Sequence, residues 1–213
     1  MIVDERIVTF INSMETENSE ILEAIEKEAL DTNVPIIRKE MQSFLKVLLR
    51  VQKPMCVLEV GTAVGFSALL MSEYLPDGGT ITTIENYEKR ISAARKNFER
   101  AGKKSMITLL EGDAQDVLKT LDGEYDFIFM DAAKGQYIHF LPDVMRLLKS
   151  GGLLVSDNVM QDGAVMESRF GVERRNRTIH ARMREYLYVL KHHEDLITSI
   201  IPLGDGVALS VKR

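Results

Sequence analysis

The sequence predicts a three-layer α/β domain, in which helices cover both faces of a mostly parallel β-sheet and further helices precede it. Up to Arg50, apolar residues recur every three or four positions, which is the spacing of amphipathic helices. After Pro54, short apolar runs alternate with amphipathic helical stretches, and this alternation favours right-handed crossovers between parallel strands. Near the C-terminus, two apolar runs flank Asp205-Gly206, a pattern that predicts an antiparallel pair.

The predicted strands and helices divide the chain into an N-terminal segment and a core. The helical segment spans residues 1–52 and the α/β core spans residues 53–213, and at 213 residues the two fit a single domain. The apolar runs predict strands over residues 56–60, 80–85, 107–112, 125–131 and 151–159. The amphipathic stretches predict helices near residues 66–75, 87–101, 114–121, 136–149 and 174–190.

The composition excludes several classes of protein. The single cysteine, Cys56, excludes an internal disulfide and a cysteine zinc site. The longest stretch without a charged residue, Val60–Ser72, has 13 residues and is too short to cross a membrane. At the N-terminus, charged residues at positions 4–6 stand where a signal peptide has its apolar core. We therefore expect a cytoplasmic protein without a membrane partner.

Charge is unevenly distributed along the chain. The net charge of −5 does not indicate a nucleic-acid-binding protein as a whole. The segment Glu167–Arg184, however, contains six arginines and two acidic residues, whereas the rest of the chain has 21 basic and 30 acidic residues. In the helix predicted near residues 174–190, arginines lie on two stripes beside an apolar face. This helix is either a surface that contacts phosphates or an ordinary solvated face.

Acidic residues lie at or beside the carboxyl ends of all five predicted parallel strands. They are Glu59, Glu85, Asp113, Asp131 and Asp157. In sheets of this kind, ligands bind at the carboxyl ends of the strands, where the strand order reverses. We therefore expect these carboxylates to belong to one site.

The turn after the first predicted strand is rich in glycine and leads into a helix. Gly61 and Gly65 allow a ligand to approach the backbone closely, although a tight turn required only for packing has the same pattern. Their spacing is G-x-x-x-G and lacks the G-x-G-x-x-G pattern of dinucleotide-binding turns. A small zwitterionic nucleoside such as S-adenosylmethionine has no pyrophosphate and is compatible with this turn.

Two of the acids are candidates for contacts with such a nucleoside. Glu85 lies 24 residues after Gly61, where a carboxylate can accept hydrogen bonds from both ribose hydroxyls. Asp113, followed by Ala114, occupies the equivalent place after the third strand and is suited to an adenine amino group. As alternatives, Glu85 is a solvated loop charge and Asp113 is the N-cap of the following helix.

A second group of polar side chains follows the fourth and fifth strands. Asp131, Asp157 and Asn158 offer three oxygen ligands without sulfur or imidazole, a set that suits magnesium. The alternative is that these residues only cap helices. Three histidines have no metal-ligand spacing with these carboxylates and are expected at the surface: His180, His192 and His193.

With these motifs, the sequence resembles the metal-dependent class I O-methyltransferases, the family that includes the catechol and caffeoyl-coenzyme A methyltransferases. The resemblance covers nearly the whole chain and rests on VLEVGTAVGFSA, the acid in TIE, EGDA, FMDAAKGQY, SDNV and IPLGDG. Within the family, Val34-Pro35-Ile36, DAAKGQY and the arginine-rich segment are most similar to the bacterial methyltransferases of tRNA 5-hydroxyuridine.

The resemblance implies a Rossmann-like class I methyltransferase fold with a seven-stranded sheet and one reversed strand. It also implies S-adenosylmethionine as the methyl donor, and Mg²⁺ or another divalent cation held by Asp131, Asp157 and Asn158. The cofactor contacts of the family fall on Ile37, Gly61, Ser67, Glu85, Asp113, Ala114 and Asp131.

The resemblance further implies a reaction and its partners. Lys134 and Asp131 are the expected catalytic residues. Two cationic neighbours, the ion and the sulfonium, would depress the pKa of Lys134 and suit it to a general base, whereas the alternative is a solvated lysine. The expected acceptor is 5-hydroxyuridine at the tRNA wobble position, which becomes 5-methoxyuridine; the alternative is a small catechol-like phenol. We expect a homodimer, and the candidates for tRNA contacts are Arg174, Arg175 and Arg177.

Overall fold

A seven-stranded sheet forms the centre of the computed structural model, which describes residues 2–213. The strands are β1 (Cys56–Val60), β2 (Thr80–Glu85), β3 (Ile107–Glu111), β4 (Tyr125–Met130), β5 (Leu148–Ser156), β6 (Leu196–Ile201) and β7 (Val207–Lys212). Their order in the sheet is β3-β2-β1-β4-β5-β7-β6, and within these residues β7 alone runs in the direction opposite to the other six strands. The predicted mostly parallel sheet with one reversed strand is confirmed.

Helices lie before the sheet and between its strands. They are α1 (Glu5–Asn12), α2 (Glu20–Asp31), α3 (Lys39–Gln52), α4 (Phe66–Ser72), α5 (Glu88–Arg100), α6 (Ala114–Thr120), α7 (Tyr137–Leu147) and α8 (Arg177–His192). The N-terminal segment therefore consists of helices α1–α3, as predicted. No helix in the described residues is long and apolar enough to cross a lipid bilayer.

The central strands contribute side chains alternately to two hydrophobic clusters, one on each face of the sheet. In β1, Val57 belongs to the cluster under α2–α5, and Leu58 belongs to the cluster under α7 and α8. Phe127 and Ile128 of β4 divide in the same way. Because both faces of these strands are buried, apolar residues occupy consecutive positions rather than alternating ones, and Glu59 in β1 and Asp126 in β4 are the charged exceptions. The two clusters make the fold three-layered.

The strand order reverses between β1 and β4, and this is where the sheet opens a crevice for a ligand. Val60 at the end of β1 is in register with Met130 at the end of β4. The next residues, Gly61 and Asp131, therefore lie side by side, and the Asp131 backbone N–H donates to the Val60 carbonyl at 3.0 Å.

The fifth strand differs from its prediction at both ends. It begins at Leu148, directly after α7. Its pairing with β4 is irregular at first, because the register shifts between the pair Leu148–Tyr125 and the pair Leu153–Phe127. It ends at Ser156 rather than at residue 159. Asn158 has a left-handed φ of 59°, which an asparagine tolerates and which turns the chain out of the strand.

The helix predicted near residues 174–190 is α8, preceded by a short 3₁₀ turn at Arg174–Asn176. His180 was expected at the surface and is buried instead, with its Nε2 atom 3.1 Å from the Glu167 carbonyl oxygen. The prediction for His180 is wrong because the loop over residues 161–176 folds against this side of α8. Ile179, near the start of the same helix, is 37% exposed.

Candidate active site

A cavity of about 700 Å³ opens at the carboxyl ends of the central strands. The segment before α3, the glycine turn after β1 and the ends of β2, β4 and β5 contribute to its wall. Every residue predicted for the cofactor, the metal or proton transfer lines it: Ile37, Gly61, Ser67, Glu85, Asp113, Ala114, Asp131, Lys134, Asp157 and Asn158. The three arginines proposed for tRNA contacts are not among its lining residues.

The turn between β1 and α4 contains two glycines at positions where a side chain does not fit. Gly61 has a φ of 106°, and a Cβ atom there would overlap the backbone carbonyl oxygen of Asp131. Gly65 has a φ of 84°, and its Cβ atom would meet the ring of Phe98. Both glycines are therefore required by packing, and Gly61 also leaves backbone exposed to the cavity. The packing interpretation of this turn is confirmed, and the approach of a ligand to its backbone stays a prediction.

The carboxylate of Glu85 is fixed by three backbone N–H groups. Its Oε2 atom accepts from Ala63 at 2.8 Å, and its Oε1 atom accepts from Asn86 and Tyr87 at 3.0 Å each. Glu85 is thus an oriented group in the cavity wall rather than a solvated loop charge. Its Oε2 atom retains a lone pair that can accept a hydroxyl group of a ligand.

Asp113 and Ile37 reach the cavity from opposite sides. Asp113 is the N-cap of α6, because its Oδ1 atom accepts the Gln115 backbone N–H at 2.8 Å. Its Oδ2 atom has no partner in residues 2–213 and remains available to a ligand. Ile37 precedes α3, and its carbonyl oxygen accepts from the Gln42 side chain at 3.1 Å. This bond fixes the segment that closes the cavity beside α3.

Glu59 is fully buried beneath the glycine turn, a placement that the strand-end pattern did not predict. The hydroxyl of Ser67 donates to its Oε1 atom at 2.5 Å, and Thr83 donates to its Oε2 atom. Burial raises the pKa of Glu59 to about 8. Ser67, predicted as a cofactor contact, lines the cavity but directs its hydroxyl proton to Glu59. The alternation along β1, which turns Glu59 toward α4, is the signal that could have shown this.

The buried carboxylate of Asp157, the partly buried carboxylate of Asp131 and the amide of Asn158 meet at the ends of β4 and β5. The Asn158 side-chain amide donates to Asp131 Oδ1 at 3.1 Å, and the Asn158 backbone N–H donates to Asp157 Oδ1 at 2.7 Å. Burial raises the pKa of Asp131, and burial together with the charge of Asp131 raises the pKa of Asp157 to about 7. In residues 2–213 no cluster of three or more histidine, cysteine or acidic side chains is arranged for a metal ion. The predicted set of Asp131, Asp157 and Asn158, which includes an amide, stays the candidate for a cation.

Tyr137 joins the two strand ends that carry these carboxylates. Its fully buried hydroxyl lies 3.1 Å from the carbonyl oxygens of both Met130 and Asp157. Its ring packs edge-on against Tyr186 at 5.5 Å, and the Tyr186 hydroxyl lies 2.7 Å from that of Ser156. Tyr137 therefore limits how far β4 and β5 can separate. No local pattern predicts this role, because the two carbonyls belong to distant segments.

Comparisons with known proteins identify the family of this chain. A family model described as O-methyltransferase matches residues 12–213. The chain belongs to the O-methyltransferase family. A catechol O-methyltransferase of Niastella koreensis is 37% identical over 128 residues, which is 58% of each chain. A Staphylococcus aureus structure assigned as a caffeoyl-CoA O-methyltransferase is 30% identical and has a TM-score of 0.89. The match covers 99% of this chain and 100% of that chain.

A third relative of this O-methyltransferase carries a ligand. The structure of a Podospora anserina methyltransferase, solved with SAH bound, has a TM-score of 0.87 and 26% identity, and the match covers 98% of this chain and 94% of that one.

Two cavity residues of the O-methyltransferase were missed in the sequence. Asp205, from the turn between β6 and β7, accepts a hydrogen bond from Lys134 Nζ at 3.1 Å. Arg38, just before α3, lines the cavity and lies 3.9 Å from Asp162. The sequence marked Asp205 only as part of a turn, and contacts between segments this far apart leave no local pattern.

The arginine-rich segment of the O-methyltransferase has internal as well as external roles. Arg177 donates to the Val172 carbonyl at 3.1 Å, and Arg175 pairs with Glu173 at 2.7 Å. Two more arginines, Arg182 and Arg184, donate to the carbonyls of Gly135 and Val165 at 3.1 and 3.0 Å. In residues 2–213, the side chains of Arg169 and Arg174 make no hydrogen bond or ion pair. Of the three predicted arginines, only Arg174 is therefore free for a ligand.

Proposed function

We propose that this O-methyltransferase transfers the methyl group of S-adenosylmethionine to a hydroxyl group of its acceptor. The observation that carries the proposal is that one cavity contains side chains suited to three tasks. Glu85 suits a ribose, Asp131 and Asp157 suit a cation, and Lys134 suits proton transfer. The SAH-bound Podospora relative supports the donor, since SAH is S-adenosylmethionine without the methyl group.

The donor half is the part of the cavity that would bind S-adenosylmethionine. In it, the fixed carboxylate of Glu85 would accept hydrogen bonds from the ribose hydroxyls. The free Oδ2 atom of Asp113, beside Ala114, accepts the adenine amino group. Ile37, Gly61 and Ser67 would also contact the cofactor, and Asp131 would lie beside the sulfonium, where its negative charge is favourable. These last four roles come from the family resemblance, and the lining of the cavity is consistent with them.

In the acceptor half, Asp131, Asp157 and Asn158 would hold a divalent cation such as Mg²⁺. The chemistry of the donor set fits this ion, because carboxylate and amide oxygens are the ligands that hard cations prefer. Asp157 is buried and Asp131 is partly buried, and the charge of Asp131 acts unfavourably on Asp157, so a positive charge between them would stabilise both. When bound, the cation favours the deprotonated form of an acceptor hydroxyl.

Lys134 is the group that takes the proton in this reaction. After Lys134 has released its own proton, its amine removes the proton of the acceptor hydroxyl, and the resulting oxygen anion attacks the methyl carbon in line with the sulfur. The carbon–sulfur bond breaks and its electron pair stays on sulfur. The products are a methyl ether, S-adenosylhomocysteine and the protonated lysine. Because the positive charge on sulfur is lost, positioning of the two reactants contributes much of the rate.

For the acceptor, we propose 5-hydroxyuridine at the tRNA wobble position, which becomes 5-methoxyuridine. The loop over residues 161–176, which follows Asn158 in the chain, carries Phe170 with 88% of its surface exposed. Arg169 and Arg174, near it in sequence, have free guanidinium groups. An exposed aromatic ring with free cations suits stacking on an unpaired base and contacts with its phosphates.

A small catechol-like phenol is the second candidate, favoured by the name of the Niastella relative. Both acceptors present two neighbouring oxygens, so the cavity residues do not discriminate between them. The loop discriminates, because a phenol has no base beyond the reacting ring and no phosphate.

A methyl-transfer assay separates these acceptors. The purified protein is incubated with S-adenosylmethionine and either tRNA that contains 5-hydroxyuridine or catechol, with Mg²⁺ or with EDTA, and products are identified by mass spectrometry. Methylated hydroxyuridine is the expected product. Good turnover of catechol with none of tRNA would refute the tRNA acceptor and leave methyl transfer intact, and full activity in EDTA would contradict the cation.

Variants of the loop provide the second test. Phe170→Ala and the pair Arg169→Gln with Arg174→Gln should weaken tRNA binding, and the pair should reduce the logarithmic salt slope by roughly 0.7 for each lost single-strand contact. Arg95→Gln is the matched control, because α5 covers the opposite face of the sheet. Equal tRNA affinity in all variants would contradict the role of this loop.

A further inference from the structure

Asp205 is a buried acid whose two carboxylate oxygens accept hydrogen bonds from two different segments. It lies in the turn between β6 and β7, lines the cavity and is 3% exposed. Its Oδ2 atom accepts from Lys134 Nζ at 3.1 Å, and its Oδ1 atom accepts from the backbone N–H of Asp162. The side chain therefore connects the proposed base to the loop that follows Asn158.

The turn that carries Asp205 is itself held in place by that loop. The backbone N–H of Met160 donates to the Asp205 carbonyl at 2.9 Å, and that of Val159 donates to the Gly206 carbonyl at 2.9 Å. Gly206 has a φ of 83°, and a Cβ atom there would overlap the Met160 side chain. Because the backbone is fixed on both sides, the carboxylate of Asp205 has a defined position relative to Lys134.

Lys134 has other acids within its electrostatic reach. It follows Asp131 by three residues and lines the same cavity as Asp131 and Asp157. The lysine has a flexible stem and a side chain that is 36% exposed. Without Asp205, the best remaining partners for its ammonium group are the two carboxylates proposed to hold the cation. An ammonium on those carboxylates would compete with the cation and would remove the amine from the acceptor hydroxyl.

We infer that Asp205 is a positioning residue that holds the Lys134 amine away from Asp131 and Asp157, which keeps both carboxylates available to a cation. The inference rests on the proposed function for the roles of the cation and of Lys134. It adds a residue from the far end of the sheet, next to the reversed strand β7, to the acceptor half of the cavity.

The test compares Asp205→Asn with the wild type and with the double variant Asp205→Asn, Lys134→Gln. Asparagine retains the size of the side chain and an oxygen for the Asp162 N–H, but loses the charge that holds the lysine. We expect Asp205→Asn to bind Mn²⁺, measured by electron paramagnetic resonance, roughly 10- to 100-fold more weakly, the range for residues that support metal ligands. Removing the competing lysine in the double variant should restore most of the Mn²⁺ affinity.

A purely structural role for Asp205 predicts a different pattern, in which the double variant binds Mn²⁺ as weakly as the single one. That result, or unchanged affinity in Asp205→Asn, would overturn the inference. Wild-type protein that binds no Mn²⁺ would refute the cation of the proposed function instead. In that case a crystal structure of Asp205→Asn tests the inference. We expect Lys134 Nζ within hydrogen-bond distance of Asp131 or Asp157, and an unchanged position of Nζ would overturn the inference.

Two controls keep this experiment interpretable. The thermal unfolding midpoint of each variant shows whether it folds, and Asp205→Ser replaces Asp205→Asn with a smaller side chain if the latter does not. Asp205→Glu preserves the charge and should retain Mn²⁺ affinity closer to that of the wild type. Loss of affinity in Asp205→Glu equal to that in Asp205→Asn, with both variants folded, would contradict a role based on charge.

Discussion

Replacing Glu85 by glutamine tests the donor half of the cavity most directly. The carboxylate accepts backbone N–H groups of Ala63 at 2.8 Å and of Asn86 and Tyr87 at 3.0 Å. Glutamine preserves the size of the side chain and one acceptor oxygen. Its amide NH₂ must then face at least one of these N–H groups, donor against donor, and the negative charge that faces the ribose hydroxyls is lost.

The expected loss of affinity follows from the hydrogen bonds that disappear. Glutamine can still offer one oxygen to one ribose hydroxyl, so the net loss is about one hydrogen bond to a charged group, worth roughly 1.5–3 kcal/mol. This free energy corresponds to a Kd for S-adenosylmethionine that is roughly 10- to 150-fold higher. The unfavourable contact between donors lowers the free energy of unfolding of the free protein as well.

Isothermal titration calorimetry with S-adenosylmethionine measures the effect on affinity. Glu111→Gln is the matched control, because Glu111 ends the neighbouring strand β3, pairs with Arg95 and does not line the cavity. We expect the control to bind as tightly as the wild type. Unchanged affinity in Glu85→Gln would remove Glu85 from the cofactor site, and an equal loss in both variants would indicate a general effect of charge.

Three further perturbations test other parts of the molecule. Asp157→Ala should abolish turnover and leave S-adenosylmethionine affinity within severalfold, because it removes a cation ligand and no nucleoside contact; a loss of affinity as large as that of Asp131→Ala would contradict this division. Burial raises the pKa of Glu59 to about 8, so the folded state binds this proton more tightly, and the free energy of unfolding in urea should fall as the pH rises from about 4.5 through 8. Glu59→Gln should show a weaker fall, and an unchanged pH profile would refute the burial argument. We propose a homodimer through α1, where Phe10 is 64% exposed, so light scattering should show a dimer that Phe10→Ser dissociates; a monomeric wild type would refute it.

The sequence predicted the cavity well because its residues follow parallel strands. Such strands place their carboxyl ends at one edge of the sheet, so Glu85, Asp131 and Asp157 could be grouped without any knowledge of their distances. The same reasoning placed Glu59 at this edge but not beneath the turn. Its position one residue before the end of β1 reverses the direction of its side chain, and hydroxyl groups eight and 24 residues away complete its surroundings.

Asp205 and Tyr137 could not be predicted, because their partners are backbone groups and side chains of remote segments. The arginine-rich segment shows a related limit. Its helical periodicity was correct in outline, yet Arg177 donates to a backbone carbonyl five residues earlier and Arg182 donates to the carbonyl of Gly135. Periodicity indicates which face of a helix a residue occupies. It does not indicate which loop packs against that face and accepts hydrogen bonds from its side chains.

The close contact between Gly61 and the Asp131 carbonyl has a consequence for how this enzyme can change through mutation. Gly61 belongs to the proposed donor half of the cavity and Asp131 to both halves, and their backbones touch with no space for a methyl group. A substitution at Gly61 therefore displaces the chain at Asp131, and we expect a defect in cofactor binding to appear together with a defect in the acceptor half. Changes of acceptor are more accessible through the loop over residues 161–176, where exposed side chains such as Phe170 can vary without moving either backbone. Libraries aimed at new acceptors should vary that loop and leave the glycine turn constant.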